Sequence, residues 1–184
     1  MPGPVASGNH SYVFAFGART DGGAEMRELL GGKGANLAEL AKIGLPVPPG
    51  FTLSSSFCRS YYDGGREMPA GLREELHDGL QRIEKVTGLQ LGEGAGELRL
   101  AVRSGAAVSM PGMMDTVLGL GTRDAVEEAV LRVFDSWSSE RARTYRSERG
   151  IIGLDGTAVT VQACLLYTSP SPRDLSTSRM PSSA

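Results

Sequence analysis

Apolar residues recur along most of this chain at spacings typical of short strands and amphipathic helices. The run Tyr12–Phe16 is apolar and is bounded by polar and glycine residues, which predicts a strand. From Lys33 to Ile43 the apolar positions recur at helical spacing, and Gly44 follows as a C-terminal cap. This segment is therefore predicted to be a helix.

The same reasoning covers most of the remaining chain. The serines at positions 54–56 offer N-caps for a short helix, which the glycines at 64 and 65 end. Further helices are predicted over Pro69–Thr87 and Asp124–Arg149, and further strands over Phe51–Leu53, Leu98–Val102, Thr116–Leu120 and Thr157–Val161. This mixture of helices and short strands predicts an α+β fold.

The pattern is lost from about Leu165. Residues 165–184 are dominated by Ser, Thr and Pro without periodicity, a composition that cannot support a packed element. The change cuts off a developing strand, which favours a join to sequence of non-native origin over a genuine flexible linker. We therefore expect a folded domain in residues 1–164 and a disordered tail in residues 165–184.

Length, composition and charge exclude several classes of protein. The 184 residues suit one domain or one lobe of a larger one, and 40% hydrophobic residues can form a core. The net charge of −2 argues against a nucleic-acid-binding or basic membrane-binding surface. No apolar run approaches the ~20 residues of a membrane span. An anion site in this chain must therefore be local.

The cysteines and the N-terminal segment indicate a reducing compartment. Cys58 and Cys164 lie far apart without metal-binding spacing, which is typical of two unpaired thiols. The segment Met1–His10 has neither a signal-peptide core nor a transit pattern. We expect a cytoplasmic protein, in which His10 and His77 are solvated rather than catalytic.

A glycine-rich segment at the start of a predicted helix is the first candidate site. In Leu30-Gly-Gly-Lys33-Gly-Ala-Asn36 the glycines would let the backbone approach a ligand, and the helix N-terminus would favour an anion. Lys33 adds a charge that can reach a phosphate oxygen. The spacing is not that of a Walker A loop, and a flexible turn into a helix is the alternative interpretation.

A second candidate site follows the predicted strand Leu98–Val102. Arg103 would leave that strand with a guanidinium suited to a phosphate, although pairing with a nearby carboxylate is the alternative. The loop Ser109–Thr116 combines a Pro-Gly turn with methionines that could cover a ligand. In it, Asp115 and Thr116 could orient a substrate, contact a metal-bound water or cap a turn. We predict that the loop closes over a charged ligand bound by Lys33 and Arg103.

Three segments, in this order and spacing, resemble the N-terminal nucleotide-binding region of the pyruvate, phosphate dikinase family. They read LLGGKGANLAELAKIGLPVPPGFTLS, LAVRSGAAVSMPGMMDTVLGLG and GTAVTVQ, and the resemblance covers roughly Tyr12 to Gln162. Related phosphoenolpyruvate synthases have a similar opening but usually differ after Gly-Gly-Lys and after Ala-Val-Arg-Ser. The residues Gly34-Ala35-Asn36 and the loop Met110–Asp115 favour the dikinase.

The resemblance implies that residues 1–164 are a partial N-terminal nucleotide-binding domain, the first lobe of an ATP-grasp domain in a phosphotransferase. That family converts ATP, phosphate and pyruvate to AMP, pyrophosphate and phosphoenolpyruvate, with Mg²⁺ and a monovalent cation. It implies that Lys33 and Arg103 bind phosphate and that the loop Gly112–Thr116 lies over the β- and γ-phosphates. The site residues implied are Lys33, Arg103, Gly112, Met113, Asp115 and Thr116.

The chain also departs from the family pattern. The phosphorylated histidine, the pyruvate-binding barrel and the acidic Mg²⁺ ligands of the second lobe are absent from this sequence, so we expect a fragment without catalytic or metal-binding residues of its own. Its partners would be a nucleotide, phosphate and the missing histidine and pyruvate-binding domains, in a parent enzyme expected to be a homo-oligomer. The alternatives are a synthase fragment, a non-catalytic nucleotide-binding module and a remnant without function.

Overall fold

A computed structural model of the chain describes residues 12–92, 97–154 and 156–164. The strands are β1 (Val13–Phe16), β2 (Gly50–Leu53), β3 (Leu100–Gly105), β4 (Thr116–Leu120) and β5 (Ala158–Ala163). The helices are α1 (Arg27–Lys42), α2 (Ser55–Asp63), α3 (Leu72–Thr87), α4 (Arg123–Trp137) and α5 (Glu140–Glu148). A short 3₁₀ turn, Ala24–Met26, precedes α1.

The five strands form one antiparallel sheet in the order β1-β2-β5-β3-β4. The last described strand therefore lies at the centre, between β2 and β3. Helices mixed with antiparallel strands confirm the predicted α+β class. None of the described helices is both long and apolar enough to cross a membrane.

The two faces of the sheet have different chemistry because successive strand residues point to opposite sides. On one face, apolar side chains such as Val102 and Val161 join the main core with the apolar stripes of α2, α3 and α4. On the other face, Thr52 and Thr160 are buried and their hydroxyl oxygens lie 3.5 Å apart. Helix α1 covers this polar face, since a Cβ added at Gly34 would lie 2.6 Å from Thr52 Oγ1.

One predicted strand boundary is wrong, and one predicted helix is preceded by a turn that the sequence pattern did not indicate. Helix α1 spans Arg27–Lys42, but non-helical backbone angles at Gly31 divide it, so the predicted helix from Lys33 is its second part and the turn before Gly31 is additional. Strand β3 begins at Leu100 and continues to Gly105, so Arg103 lies within the strand and does not follow it. Pairing with β5 extends β3, because Arg103 and Gly105 lie opposite residues of that later strand.

The long helix predicted over Asp124–Arg149 is two helices. Helix α4 ends at Trp137, and α5 begins after Ser139, whose side chain accepts a hydrogen bond from the backbone N–H of Ala142. A serine that satisfies a backbone donor in this way starts a new helix. Two parts of the chain lie outside the described residues: the segment before Tyr12 and the tail predicted over residues 165–184.

Candidate functional site

The break in α1 brings the helix against the end of β3. Gly31 has φ of 68° and ψ of 169°, and a Cβ built there would lie 1.6 Å from the carbonyl oxygen of Gly105. The next residue, Gly32, donates its N–H to the carbonyl of Ala106 at 2.9 Å. Glycine is required at position 31 by backbone packing, which differs from the ligand approach expected from sequence.

Lys33 lies directly after this contact. Its Nζ donates to the carbonyl oxygen of Ser104 at 2.9 Å, which leaves further ammonium donors for a ligand. Partial burial of the ammonium, followed by the like charge of Arg103, lowers the pKa of Lys33 from its ordinary value. A phosphate bound here would supply the opposite charge that the site lacks.

A cavity of about 460 Å³ opens beside Lys33, between the second half of α1 and the loop that follows β3. Such a volume is within the range of small-molecule sites. Its lining is formed by Arg27, Gly32, Lys33, Asn36, Ser104, Gly105, Ala106, Val108, Ser109, Met110, Pro111, Gly112, Met114 and Thr116. Of the sequence-predicted site residues, the structure thus places Lys33, Gly112 and Thr116 around one cavity.

Arg103 lies next to this cavity, although it is not one of its lining residues. It is paired across the sheet with Thr116 on β4 and with Thr160 on β5. Directly paired residues of antiparallel strands share a face, so Arg103 lies on the polar face that α1 partly covers. Lys33 bonds the carbonyl of Ser104, the residue after Arg103, and Thr116 lines the cavity, so the two cations lie near each other.

The structure places Met113 and Asp115 away from the cavity lining. The Asp115 carboxylate forms ion pairs with Arg132 at 2.8 Å and with Arg141 at 3.5 Å. The Met113 carbonyl accepts from Arg141 Nε at 3.2 Å. These two residues of the loop therefore contact α4 and α5.

Sequence reasoning missed several of the residues around the cavity, and Arg27 is the most informative of them. Its Nε donates to the carbonyl of Ala107 at 3.0 Å, so its guanidinium lies at the cavity and holds the loop after β3. The apolar residue Leu30, which is fully buried in the structure, is the sequence signal for the helical turn 27–30. Gly31 and Gly32 interrupt the helical pattern directly after it, which hides that turn from sequence analysis.

The donor set of the cavity does not fit a resident Mg²⁺ site. Mg²⁺ prefers carboxylate oxygens and water, and no Asp or Glu lines this cavity. Within the described ranges, no group of three or more His, Cys, Asp or Glu side chains could hold a metal ion. The residues that line this cavity would therefore not hold Mg²⁺ by themselves.

His77 has a structural partner instead of being only solvated. Its Nε2 lies 2.8 Å from Oε1 of Glu127, and the other carboxylate oxygen of Glu127 accepts from Arg73 Nε at 3.1 Å. Because Arg73 and His77 are on α3 and Glu127 is on α4, the cluster joins two helices. It lies apart from the cavity lining, and His10 is outside the described residues.

Comparison with known proteins adds a family match. The family model described as "Pyruvate phosphate dikinase, AMP/ATP-binding domain" matches residues 27–84 and 64–166. The chain is similar to pyruvate, phosphate dikinase 2 of Zea mays, with 38% identity over an alignment of 253 positions that covers 89% of this chain and 28% of the relative. It is also similar to the pyruvate, phosphate dikinase of Rhizobium meliloti (strain 1021), with 56% identity over 114 residues, 61% of this chain and 13% of the relative.

A third relative gives the same picture. Pyruvate, phosphate dikinase 1, chloroplastic, of Oryza sativa subsp. japonica is 58% identical over 115 residues, which take in 62% of this chain and 12% of the relative. The chain thus spans between 12% and 28% of the length of these curated relatives.

Proposed function

This chain belongs to the family of the pyruvate phosphate dikinase AMP/ATP-binding domain, and on that premise we propose that its cavity binds the phosphates of a nucleotide. The activity to which this binding contributes would be that of a pyruvate, phosphate dikinase. In that reaction ATP, phosphate and pyruvate give AMP, pyrophosphate and phosphoenolpyruvate. The chain would supply one part of the nucleotide site, and the reaction would need the remaining domains of such an enzyme.

One observation carries the proposal: cations from two separate elements lie at or beside a single cavity. Lys33 reaches the cavity from α1, and Arg27 lines it from the first turn of α1. Arg103 flanks it from β3, where it is paired with Thr116 of the lining. Three nearby cations on a protein of net charge −2 form a local anion site rather than a generally basic surface. This charge pattern supports a polyphosphate ligand.

The residues of this chain would contribute binding and orientation to phosphoryl transfer. The transferred phosphoryl group carries charge on its oxygens, and enzymes stabilise it mainly by positioning and electrostatics. Lys33 would contribute a compact charge, and Arg103 a planar guanidinium that can form two parallel hydrogen bonds. Gly112 and Thr116, on the other side of the cavity, would exclude water from the phosphates.

We further propose that the described sheet is the first lobe of an ATP-grasp domain, with the rest of the nucleotide enclosed by a second lobe. Mg²⁺ would then enter with the nucleotide, coordinated by phosphate oxygens and by ligands from outside this cavity. The histidine and pyruvate-binding domains of the parent enzyme would be the partners of this lobe.

Titration of the 184-residue chain with AMP and with ATP tests the proposal. We expect saturable binding that Lys33→Ala and Arg103→Ala each weaken about 10- to 100-fold, since each removes a charge-assisted hydrogen bond of about 1.5–3 kcal/mol. Lys42→Ala is a matched control from the same helix, because Lys42 pairs only loosely with Glu25 at 3.8 Å. Equal binding by all four proteins would contradict the proposal.

The relatives described above are named dikinases, which gives the synthase alternative no support. The non-catalytic nucleotide-binding module is a separate alternative, and it would also bind nucleotide in this titration. Addition of a separately prepared remainder of a dikinase would complete the test. Restored AMP formation that depends on both pyruvate and phosphate would favour the dikinase fragment, and tight nucleotide binding without restoration would favour the module.

A further inference from the structure

The loop between β3 and β4 presents alternate residues to two different surroundings. Gly112, Met114 and Thr116 line the cavity. Between them, the Asp115 carboxylate pairs with arginines of α4 and α5, and the backbone carbonyl of Met113 accepts from Arg141. The loop is therefore a thin wall with the candidate nucleotide site on one side and two helices on the other.

Four contacts attach this wall to the helices. Arg132 of α4 bonds one oxygen of the Asp115 carboxylate at 2.8 Å, and Arg141 of α5 reaches the other at 3.5 Å. Arg141 also donates from Nε to the Met113 carbonyl at 3.2 Å. The backbone N–H of Asp115 donates to the hydroxyl of Ser136 at 3.2 Å.

Ser136 holds one of these contacts in a fixed position. Its side chain is buried in α4, and its hydroxyl donates to the Val133 carbonyl at 2.7 Å. The two arginines are different, since their side chains are 67% and 54% exposed. Exposed ion pairs contribute little to the global stability of a protein. Their effect is expected to be local, on the position of the loop.

We infer that Arg132 and Arg141 are positioning residues, which hold the loop 110–116 against the cavity through Asp115. This inference rests on the proposed nucleotide site and changes the role of one residue in it. Asp115 acts as the anchor of the wall, and its carboxylate is already occupied by two guanidinium groups. Gly112 and Thr116 are the loop residues left to meet the phosphates.

The arginines hold a ligand-binding loop in its bound position before the ligand arrives. A loop that is ordered in advance loses less conformational entropy on binding, so affinity rises without any new contact. Removing the attachment should therefore weaken nucleotide binding even though neither arginine lines the cavity.

Two measurements on the full 184-residue chain test this. Hydrogen exchange without nucleotide reports on the amides of residues 110–116, and titration with ATP gives the Kd. In Arg141→Ala we expect at least fivefold faster exchange in this segment and about a tenfold higher Kd, with an unchanged denaturation midpoint. Arg143→Ala is the matched control, because Arg143 is exposed on the same helix and its side chain has no hydrogen bond or ion pair within the described residues.

A double-mutant cycle identifies Asp115 as the point through which Arg141 acts. Asp115→Asn and Arg141→Ala should each raise the Kd. The double variant should raise it by less than the product of the two single effects, because both substitutions remove the same Arg141–Asp115 pair. Arg141→Lys should recover part of the affinity, because it keeps the charge but loses the second hydrogen bond. Additive effects of the two substitutions would overturn the inference.

The hydrogen-exchange measurement and the ATP titration together separate this inference from the proposed function. If the wild-type chain does not bind ATP, the proposed function fails, and the exchange of residues 110–116 still decides whether the arginines hold the loop. If the wild-type chain binds ATP and Lys33→Ala weakens it while Arg141→Ala changes neither exchange nor Kd, the inference is wrong and the proposed function stands.

Discussion

At Gly31 the backbone adopts positive φ, and the space for a side chain is filled by the carbonyl of Gly105. These two facts give the glycine a structural role that is independent of any ligand. The helix can approach β3 only where a Cβ is missing. Lys33 owes its place beside Ser104 to this close approach.

Replacement of Gly31 by alanine should therefore destabilise the fold. The extended backbone with positive φ costs alanine about 1–3 kcal/mol, and the overlap with Gly105 requires a shift of backbone atoms. We expect the free energy of unfolding in urea to fall by about 3 kcal/mol or more. Gly44→Ala is the control, because Gly44 has φ of 84° and nothing within 4 Å of an added Cβ. Equal losses in the two variants would contradict the packing role of Gly31.

The lowered pKa of Lys33 predicts how nucleotide binding depends on pH. Only the protonated ammonium attracts phosphate, and partial burial together with Arg103 makes the free site lose its proton at lower pH than an ordinary lysine. A bound phosphate raises this pKa again. Affinity is therefore fully present below the lowered pKa of the free site and falls as the pH rises through it.

Calorimetric titration with ATP across the range from about pH 7 to pH 10 measures this dependence, because the nucleotide phosphates are already ionised there. Lys33→Arg should flatten the fall, since guanidinium keeps its proton throughout. A wild-type affinity that is constant over this range would show that Lys33 does not contact the phosphates.

At the scale of elements, sequence pattern predicted the structure well where local signals decide it. Strand β4 has the predicted bounds, and α3 lies inside the predicted helix. Both carry clear periodicity or turn signals at their ends. The errors concern β3 and α4, where a distant contact or a single cap decides the outcome.

Strand β3 shows why the first kind of error arises. Its last residues, Arg103 to Gly105, are polar or small and read locally as a loop. They are extended because they pair with Ala158–Thr160, more than fifty residues later. At the other end, Leu98 leaves the strand to bridge to Leu91. The break between α4 and α5 is a different case, because Ser138-Ser139 was an available signal for a new helix.

An ion pair between Glu84 and Arg123 joins α3 to α4 and leads to a prediction about stability. Glu84 is buried and accepts from Arg123 at 2.5 Å and from the backbone N–H of Leu91 at 3.0 Å. Glu84→Ala should lower the free energy of unfolding by about 1.5–3 kcal/mol, because it leaves Arg123 and Leu91 without their acceptor. Equilibrium urea denaturation measures the loss.

A matched substitution on the same helix provides the comparison. Glu74 lies in the first turn of α3, and its side chain has no hydrogen bond or ion pair in the described part of the chain. Glu74→Ala should change stability by about 0.5 kcal/mol or less. If Glu84→Ala were equally harmless, the ion pair would not contribute to stability.

For the whole molecule, the candidate site could be predicted from sequence in its components but only partly in its arrangement. Lys33 was predicted from the glycine-rich segment and its charge, whereas Gly112 and Thr116 were implied as site residues by the family resemblance. All three line one cavity. The contacts of Asp115 could not be predicted, because its two arginine partners belong to helices that follow it in the chain. A polar loop residue gives no local sign of such pairing.

The thiol of Cys58 reports on the integrity of the whole core. It is fully buried against Gly156, and burial is the main cause that raises its pKa to about 11. Its thiolate, the reactive form, is therefore scarce near pH 8. Cys164 is only half-buried.

We expect a thiol reagent at about pH 8 to modify Cys164 quickly and Cys58 at the rate at which the core opens. In Cys164→Ser the slow reaction should remain alone and should accelerate with urea in step with unfolding. Rapid modification of Cys58 in the native protein would show that the core around α2 is not closed.

The position of β5 has a consequence for how the protein acquires its structure during synthesis. Strands β2 and β3 are synthesised early and do not pair with each other. Both pair with β5, which leaves the ribosome last among the described strands. Until then the nascent chain holds two separate pieces of sheet with open edges, a state prone to association with other chains. Ribosomes that stall before codon 158 should therefore carry a chain that chaperones bind, whereas release of β5 completes the sheet in one late step.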